Sequence, residues 1–221
     1  MSVDTVDQVE KEKVVHYQAR HWNGNQVCSI DLETSGLDPL IHEILQLAIL
    51  PLDQSYKPRR DVPPLYINIL PESPDCVDYK HISRKKYLAT VAHGFHVESA
   101  KEVFYQWYKK LRLPVSKYGR PKRIIPLGHN FNAHDRNFLL KWLGREEYDL
   151  FFSPLARDTM TASLFVNDRD DMHNEDVHIV NLTLTATARR LNIDTFGAHD
   201  ALIDAKITAE VYHRLTKMGV F

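Results

Sequence analysis

The chain of 221 residues carries only two cysteines, Cys28 and Cys76, too few for a disulfide framework or a four-thiolate zinc site, so both read as reduced thiols. No apolar run reaches spanning length, because the longest candidate, Ile41 to Leu52, is broken by His42, Glu43 and Gln46. The N-terminus is charged and has no signal-peptide core, so a cytoplasmic protein with no membrane contact is expected. An excess of one charge is also missing. Twenty-eight basic residues stand against 29 acidic, a net charge of -1, so any contact with nucleic acid must come from a local groove or from bound cations rather than a bulk positive field. Eight glycines and 11 prolines, beside 43% apolar and 26% charged residues, exclude collagen-like and wholly disordered chains. There is no repeat, low-complexity tract or interdomain linker, and the length suits one substantial core.

Along the chain, the first residues alternate charge with valine, and Glu10 to Lys13 reads as solvated. Residues 1–25 are therefore taken as an N-terminal arm and residues 26–221 as the domain. Gln26 to Thr34 has strand character. Its period of two puts Cys28, Ile30 and Leu32 on one face and Ser29, Asp31 and Glu33 on the other. Ile44 to Leu50 and Leu65 to Leu70 follow as strands, separated by the turn-rich Asp53 to Pro64. Val97 to Leu111 has apolar and aromatic positions at helical spacing, read as core rather than a base-stacking platform. Arg123 to Leu127 is a fourth strand, Asp135 to Leu143 a helix, and Ser153 to Thr159 the place for a fifth strand. Asn181 is a plausible N-cap for a helix over Leu182 to Leu191, and a last helix runs from Ala201 to Lys217, stopping at Gly219. This order is that of a single α/β domain with a mixed five-stranded sheet flanked by helices.

Asp31 and Glu33, two apart on a central strand, leave the same face side by side. Desolvated like charges need compensation by protons, cations or metal ions; on a solvent-exposed face they would merely be wet. Downstream, Gly128-His129-Asn130 follows a strand and leads into the helix at Asp135, while His199 lies just before the helix that carries Asp204. Four acids at the ends of different elements suit hard divalent cations such as Mg²⁺ or Mn²⁺, two of which, about 4 Å apart, can clamp the attacking and leaving oxygens of a phosphoryl displacement. Asp31 is placed to bridge both ions, and His199, outside the ligand set, is suited to take the proton from water as a general base.

Ser29 to Pro39 (SIDLETSGLDP), Gly128 to Leu139 (GHNFNAHDRNFL) and Val180 to Leu215 resemble the three exonuclease motifs of the DEDD superfamily in its DEDDh branch. That branch includes replicase proofreading subunits, oligoribonuclease and ribonuclease T. The resemblance implies an RNase H-like fold, two divalent metals, and stepwise 3′-to-5′ hydrolysis releasing nucleoside 5′-monophosphates. It assigns the metal-ligand roles to Asp31, Glu33, Asp135 and Asp204 and the general base to His199. The H-x-x-x-x-D spacing from His199 to Asp204 marks the histidine branch; the tyrosine branch has its tyrosine where this chain has Asp200. Thr34, Ser35 and Leu37 match the segment that lines the terminal nucleotide, with Leu37 wedged against the last base, and Asn130 joins this substrate-binding set. The five-residue step from Asn130 to Asp135, with His134 preceding, is closer to the oligoribonuclease pattern than to the proofreading one. A single-stranded 3′ end is the implied partner, DNA ahead of RNA, with a DNA polymerase as a further candidate. The alternatives are an exoribonuclease and an inactive module that keeps the fold only to bind.

Other signals have plainer readings. The stretch Asp168 to His178 is rich in acids and histidines but matches no defined metal spacing, and reads as a solvated acidic loop. Two His-Asp dipeptides suggest an HD-type phosphohydrolase, an all-helical class with no place for the strand-borne Asp31–Glu33 pair. Gln46 to Leu50 looks like a clamp-binding pentapeptide but falls in a buried strand. The basic residues Lys109, Lys110, Arg112, Lys117, Arg120, Lys122 and Arg123 either line a strand-binding groove near the site or form a solvated face.

Overall fold

Strand β1 (Gln26–Thr34) is the centre of the fold. In the computed structural model, which describes residues 24–173 and 179–218, it lies between antiparallel β2 (Ile44–Pro51) and parallel β4 (Ile124–Gly128). β3 (Leu65–Asn68) pairs antiparallel with β2, and the two-residue β5 (Arg157–Asp158) pairs parallel with β4. The order β3-β2-β1-β4-β5 is the expected mixed five-stranded sheet. Among the described residues seven helices accompany it: α1 (Arg84–Val91), α2 (Val97–Lys110), α3 (Asp135–Leu143), α4 (Arg145–Phe151), α5 (Thr159–His173), α6 (Leu184–Arg190) and α7 (Ala201–Met218). None is long and apolar enough to cross a membrane.

The alternation read in β1 decides which helices cover which face. Cys28, Ile30 and Leu32 point into the main core, where Phe104 and Trp107 of α2, Phe138 and Trp142 of α3, Tyr148 of α4 and Phe152 are buried with them. Phe104 has no exposed surface and meets the rings of Trp107, Trp142, Phe151 and Phe152 at centroid distances of 5.1–6.3 Å. The aromatics of α2 are thus core, as their spacing implied. On the opposite face Val27, Ala48, Leu50, Ile125 and Leu127 pack against Ala201, Ala205 and Ala209. Three alanines at a spacing of four let α7 lie close against the sheet. That close approach brings Asp204, beside Ala205, to the acidic end of β1.

Several expectations need correction. The Asp168 to His178 stretch is not a solvated loop over its described part: residues 168–173 are the last turns of α5, and Asp170 is fully buried, paired with Arg169 at 2.5 Å, while the Arg169 guanidinium also reaches the Met218 carbonyl. A charge-rich run hides one inward-facing acid whose neighbour compensates it. The N-cap of α6 is Thr183, whose Oγ1 accepts from Ala186 N–H at 3.4 Å, and Asn181 instead accepts from Thr183 N–H in the preceding turn. Helices α1, α4 and α5 were not foreseen. Most of the N-terminal arm, residues 174–178 and Gly219 lie outside the described residues. Cys28 and Cys76 are both free thiols. Gln46 and Leu47 are buried in β2, in keeping with core rather than a docking peptide.

Candidate active site

The site forms where β1 outruns β4 while still paired with β2 on its other edge. Its pairing with β4 is recorded from Gln26 to Ser29, so the last residues of β1 extend beyond β4. There Asp31 and Glu33 are half-buried, on the face covered by α7. The loop after β4 turns at Asn130, which has a left-handed backbone (φ 63°), and whose carbonyl accepts from Ala133 and His134 N–H. This turn delivers the start of α3, so that Asp135 is buried at 4% exposure with its carboxylate hydrogen-bonded by the Leu32 backbone. Asp204, in the first turn of α7, is 9% exposed, and His199 is exposed just before that helix.

These groups converge. Ligand atoms of Glu33, His199 and Asp204 lie within 4.8 Å of one another. Asp31 feels the charges of Asp135, Asp204 and Glu33, and together with its burial, the larger cause, they raise its carboxyl well above the usual range. Burial pushes Asp135 up to about 7. Burial also raises Glu33, against the opposing charge of Lys86, and raises Asp204, against the His199 backbone and ring. Asp204 Oδ2 accepts the His199 N–H at 2.9 Å, whereas Oδ1 is buried without a hydrogen-bond partner among the described residues. An orphaned carboxylate oxygen amid four acids is the donor set of a hard cation, and the residues fit one.

The loop bearing His199 is held tightly. His199 has φ 72°, a left-handed conformation that a non-glycine residue adopts at a cost. Gly197 precedes it at φ 81°, and a Cβ there would come within 2.6 Å of Ile203 Cδ1. Asp200 Oδ1 accepts from Leu202 and Ile203 N–H, capping α7, and its Oδ2 accepts from the Tyr66 hydroxyl at 2.5 Å. Tyr66 in turn accepts from Gln46 Nε2 at 3.0 Å.

The turn after β1 uses its own side chains internally. Thr34 Oγ1 donates to the Gly36 carbonyl at 2.7 Å and lies 3.4 Å from His81 Nε2, and Ser35 Oγ accepts from Glu43 N–H at 2.9 Å. The His42 ring packs on Gly36 so closely that a Cβ would meet it at 2.3 Å. What this turn offers outward is Leu37, 65% exposed. The basic stretch lies elsewhere. Arg123 sits at the start of β4, its carbonyl accepting from Gln26 N–H, whereas Asp31 is five residues further along β1, roughly 17 Å away. Lys117 and Arg120 lie in the exposed turn before that strand. The reading of these residues as a groove beside the carboxylates is therefore corrected: they occupy the other end of the sheet.

Two residues of this region were missed. Asp158, at the end of β5, accepts backbone N–H groups from Asn130 (3.2 Å), Phe131 (2.7 Å), Met160 (2.9 Å) and Thr161 (3.3 Å). It both caps α5 and fixes the turn before Asp135; an aspartate at a strand-to-helix junction was the available signal. Lys86 of α1 places its ammonium 2.7 Å from Glu33 Oε2 and also donates to the His199 carbonyl. Nothing in the run Arg84-Lys85-Lys86 marks it out.

A mixed sheet in the order β3-β2-β1-β4-β5, its central strand ending in paired carboxylates and flanked by helices, is the RNase H-like fold of exonucleases. The RNase T exonuclease family model matches residues 28–212, and the chain belongs to that family of the DEDD superfamily. No curated protein matches it by sequence. Among solved structures, E. coli exonuclease I in complex with a dT13 oligonucleotide is similar with a TM-score of 0.59 and 17% identity, covering 86% of this chain and 40% of that one. A moderately thermophilic exonuclease I from Methylocaldum szegediense gives 0.61 and 18%, covering 87% and 40%. Cell-death related nuclease 4 (CRN-4) gives 0.59 and 18%, covering 88% and 64%. At such identities the likeness is one of fold, and the chain spans about two-fifths of the exonuclease I chains.

Proposed function

We propose that this protein is a DEDDh-type, two-metal-dependent 3′-to-5′ exonuclease that hydrolyses phosphodiester bonds at single-stranded 3′ ends and releases nucleoside 5′-monophosphates, DNA being favoured. The observation that carries this reading is the convergence of Glu33, His199 and Asp204 within 4.8 Å, with Asp31 and Asp135 in electrostatic contact. Asp31, Glu33, Asp135 and Asp204 would hold two cations, Mg²⁺ or Mn²⁺, which when bound supply Lewis acidity and charge neutralisation for the phosphoryl displacement. His199, exposed at the mouth of the site, takes the proton of the attacking water as the new P–O bond forms and the bond to the 3′ oxygen breaks. A base so placed contributes about 10²-fold to 10⁴-fold. Leu37 meets the last base, and Thr34, Ser35 and Asn130 shape the pocket for the terminal nucleotide. The oligonucleotide complex of exonuclease I supports a single-stranded DNA substrate, and proofreading or repair beside a polymerase is the role that substrate suits.

A second reading, an exoribonuclease on the same site, is favoured by the five-residue step from Asn130 to Asp135. Matched DNA and RNA oligonucleotides labelled at the 5′ end decide between them. With Mg²⁺ or Mn²⁺ the DNA is expected to shorten one nucleotide at a time from its 3′ end, and Asp31→Ala and Asp204→Ala to remove the activity while leaving the fold. Faster trimming of RNA would transfer the assignment to the second reading. Internal cuts, or turnover that survives either substitution, would overturn both.

A further inference from the structure

Lys86 stands where the acidic site most needs a positive charge. Helix α1 is started by Ser83, whose Oγ accepts the Lys86 N–H at 3.3 Å, and anchored by buried Tyr87 and Thr90, the latter donating to the Lys86 carbonyl at 3.0 Å. The first turn is thereby aimed at the end of β1. The Lys86 side chain is 26% exposed and Glu33 15%, so this ion pair is shielded from bulk water. The same ammonium draws down the carboxyls of Glu33, Asp31 and Asp204.

A divalent cation held by Glu33 and Asp204 could not share this position, because the ammonium already occupies one oxygen of Glu33 and like charges at such separations repel strongly in a partly buried site. The lysine stem has four rotatable carbons and a compact, mobile charge. Displaced from Glu33, such an ammonium can pair with another anion within reach of its stem.

We propose that Lys86 is a substrate-positioning residue that exchanges partners, pairing with Glu33 in the metal-free protein and with a phosphate oxygen of the nucleic-acid strand once cations are bound. This rests on the nuclease reading above and adds to it a residue of α1 that links cation loading to strand capture. The exchange makes metal and lysine competitors for Glu33, and makes the strand and metal cooperative.

The test uses the full chain stripped of metal. Calorimetric titration with Mn²⁺ alone is expected to give about tenfold tighter binding for Lys86→Met than for the unsubstituted protein. Fluorescence anisotropy with a labelled dT10 strand in Ca²⁺ is expected to give about tenfold weaker binding for the same variant, with the slope of log K against log salt shallower by about 0.7, one phosphate contact on a single strand. Lys86→Arg should hold the strand within about twofold. Lys86→Gln, which keeps part of the stem and a donor, repeats both measurements as a second neutral variant. Unchanged or weaker Mn²⁺ binding, or an unchanged strand affinity and slope, would overturn the exchange. So would failure of both neutral variants to fold with Mn²⁺ present, since Lys86 would then be a structural residue. An unsubstituted protein that binds neither Mn²⁺ nor dT10 would instead defeat the nuclease reading itself.

Discussion

The Tyr66 hydroxyl donates to Asp200 Oδ2 at 2.5 Å, tying edge strand β3 to the loop that presents His199. The same carboxylate caps α7 through its other oxygen, so a single aspartate couples the sheet edge, the general-base candidate and the helix of Asp204. Tyr66→Phe removes the tie without emptying the space. A fall of about tenfold in kcat with little change in KM is expected, with a stability loss of about 1 kcal/mol. Steady-state kinetics beside urea denaturation read both; an equal change in KM would point to substrate contact instead.

The raised carboxyls set the sign of the pH dependence. Asp135 rises from 3.8 to about 7 in the folded protein, so above pH 4 the unfolded chain releases a proton that the folded chain retains. Its contribution to stability is complete below the unfolded value and is lost as pH climbs through 7; Asp31, Glu33 and Asp204 act in the same direction. Asp135→Asn in a chelator should raise Tm at pH 8 by roughly 4 °C and leave it unchanged at pH 4. A thermal melt series across pH checks this, and a variant less stable at pH 8 would refute the cost of burying the charged carboxylate.

Adding Mn²⁺ to the metal-free protein at pH 8 should raise Tm in proportion to the logarithm of its concentration, by about 2.7 kcal/mol of stabilisation at 100 times Kd. Asp204→Asn, which neutralises the orphaned carboxylate, should abolish most of that gain. Differential scanning calorimetry with and without metal reads the difference.

Asp158→Ala leaves four backbone N–H groups without their acceptor. A loss of about 2 kcal/mol, or roughly 6 °C in Tm, is expected. Activity should fall further than the folded fraction does, because the turn before Asp135 loosens. Asp158→Asn should recover part of each.

Lys117→Glu with Arg120→Glu reverses charge at the far end of the sheet. Turnover of a four-nucleotide strand should stay within about twofold of the unsubstituted protein, since so short a strand engages the carboxylate end alone. A tenfold loss would return the basic stretch to the site.

Much of the site was legible because its acids obey local rules. The period of two in Gln26–Thr34 put Asp31 and Glu33 together without any tertiary knowledge, and Asp135–Leu143 carries its apolar positions at helical spacing. What escaped notice depends on contacts across the chain. Helix α1 buries only Tyr87 and Thr90, too thin a stripe for periodicity to reveal, so Lys86 looked like one more solvated cation. Helix α5 spreads its charges around the cylinder and buries Asp170 through a neighbour's guanidinium, a pattern indistinguishable in one dimension from a loop. The basic stretch was adjacent in sequence to β4 but entered that strand at its start, and only the parallel pairing with β1 reveals which end faces the carboxylates.

Asp31 belongs to the first described strand and Asp204 to the last helix. During translation, the ribosome extrudes the leading pair of acids long before the closing one has been polymerised, and α7 must still dock on the sheet before the pocket exists. The carboxylate cluster is consequently a late product of chain collapse, assembled only when the final helix settles onto strands already paired.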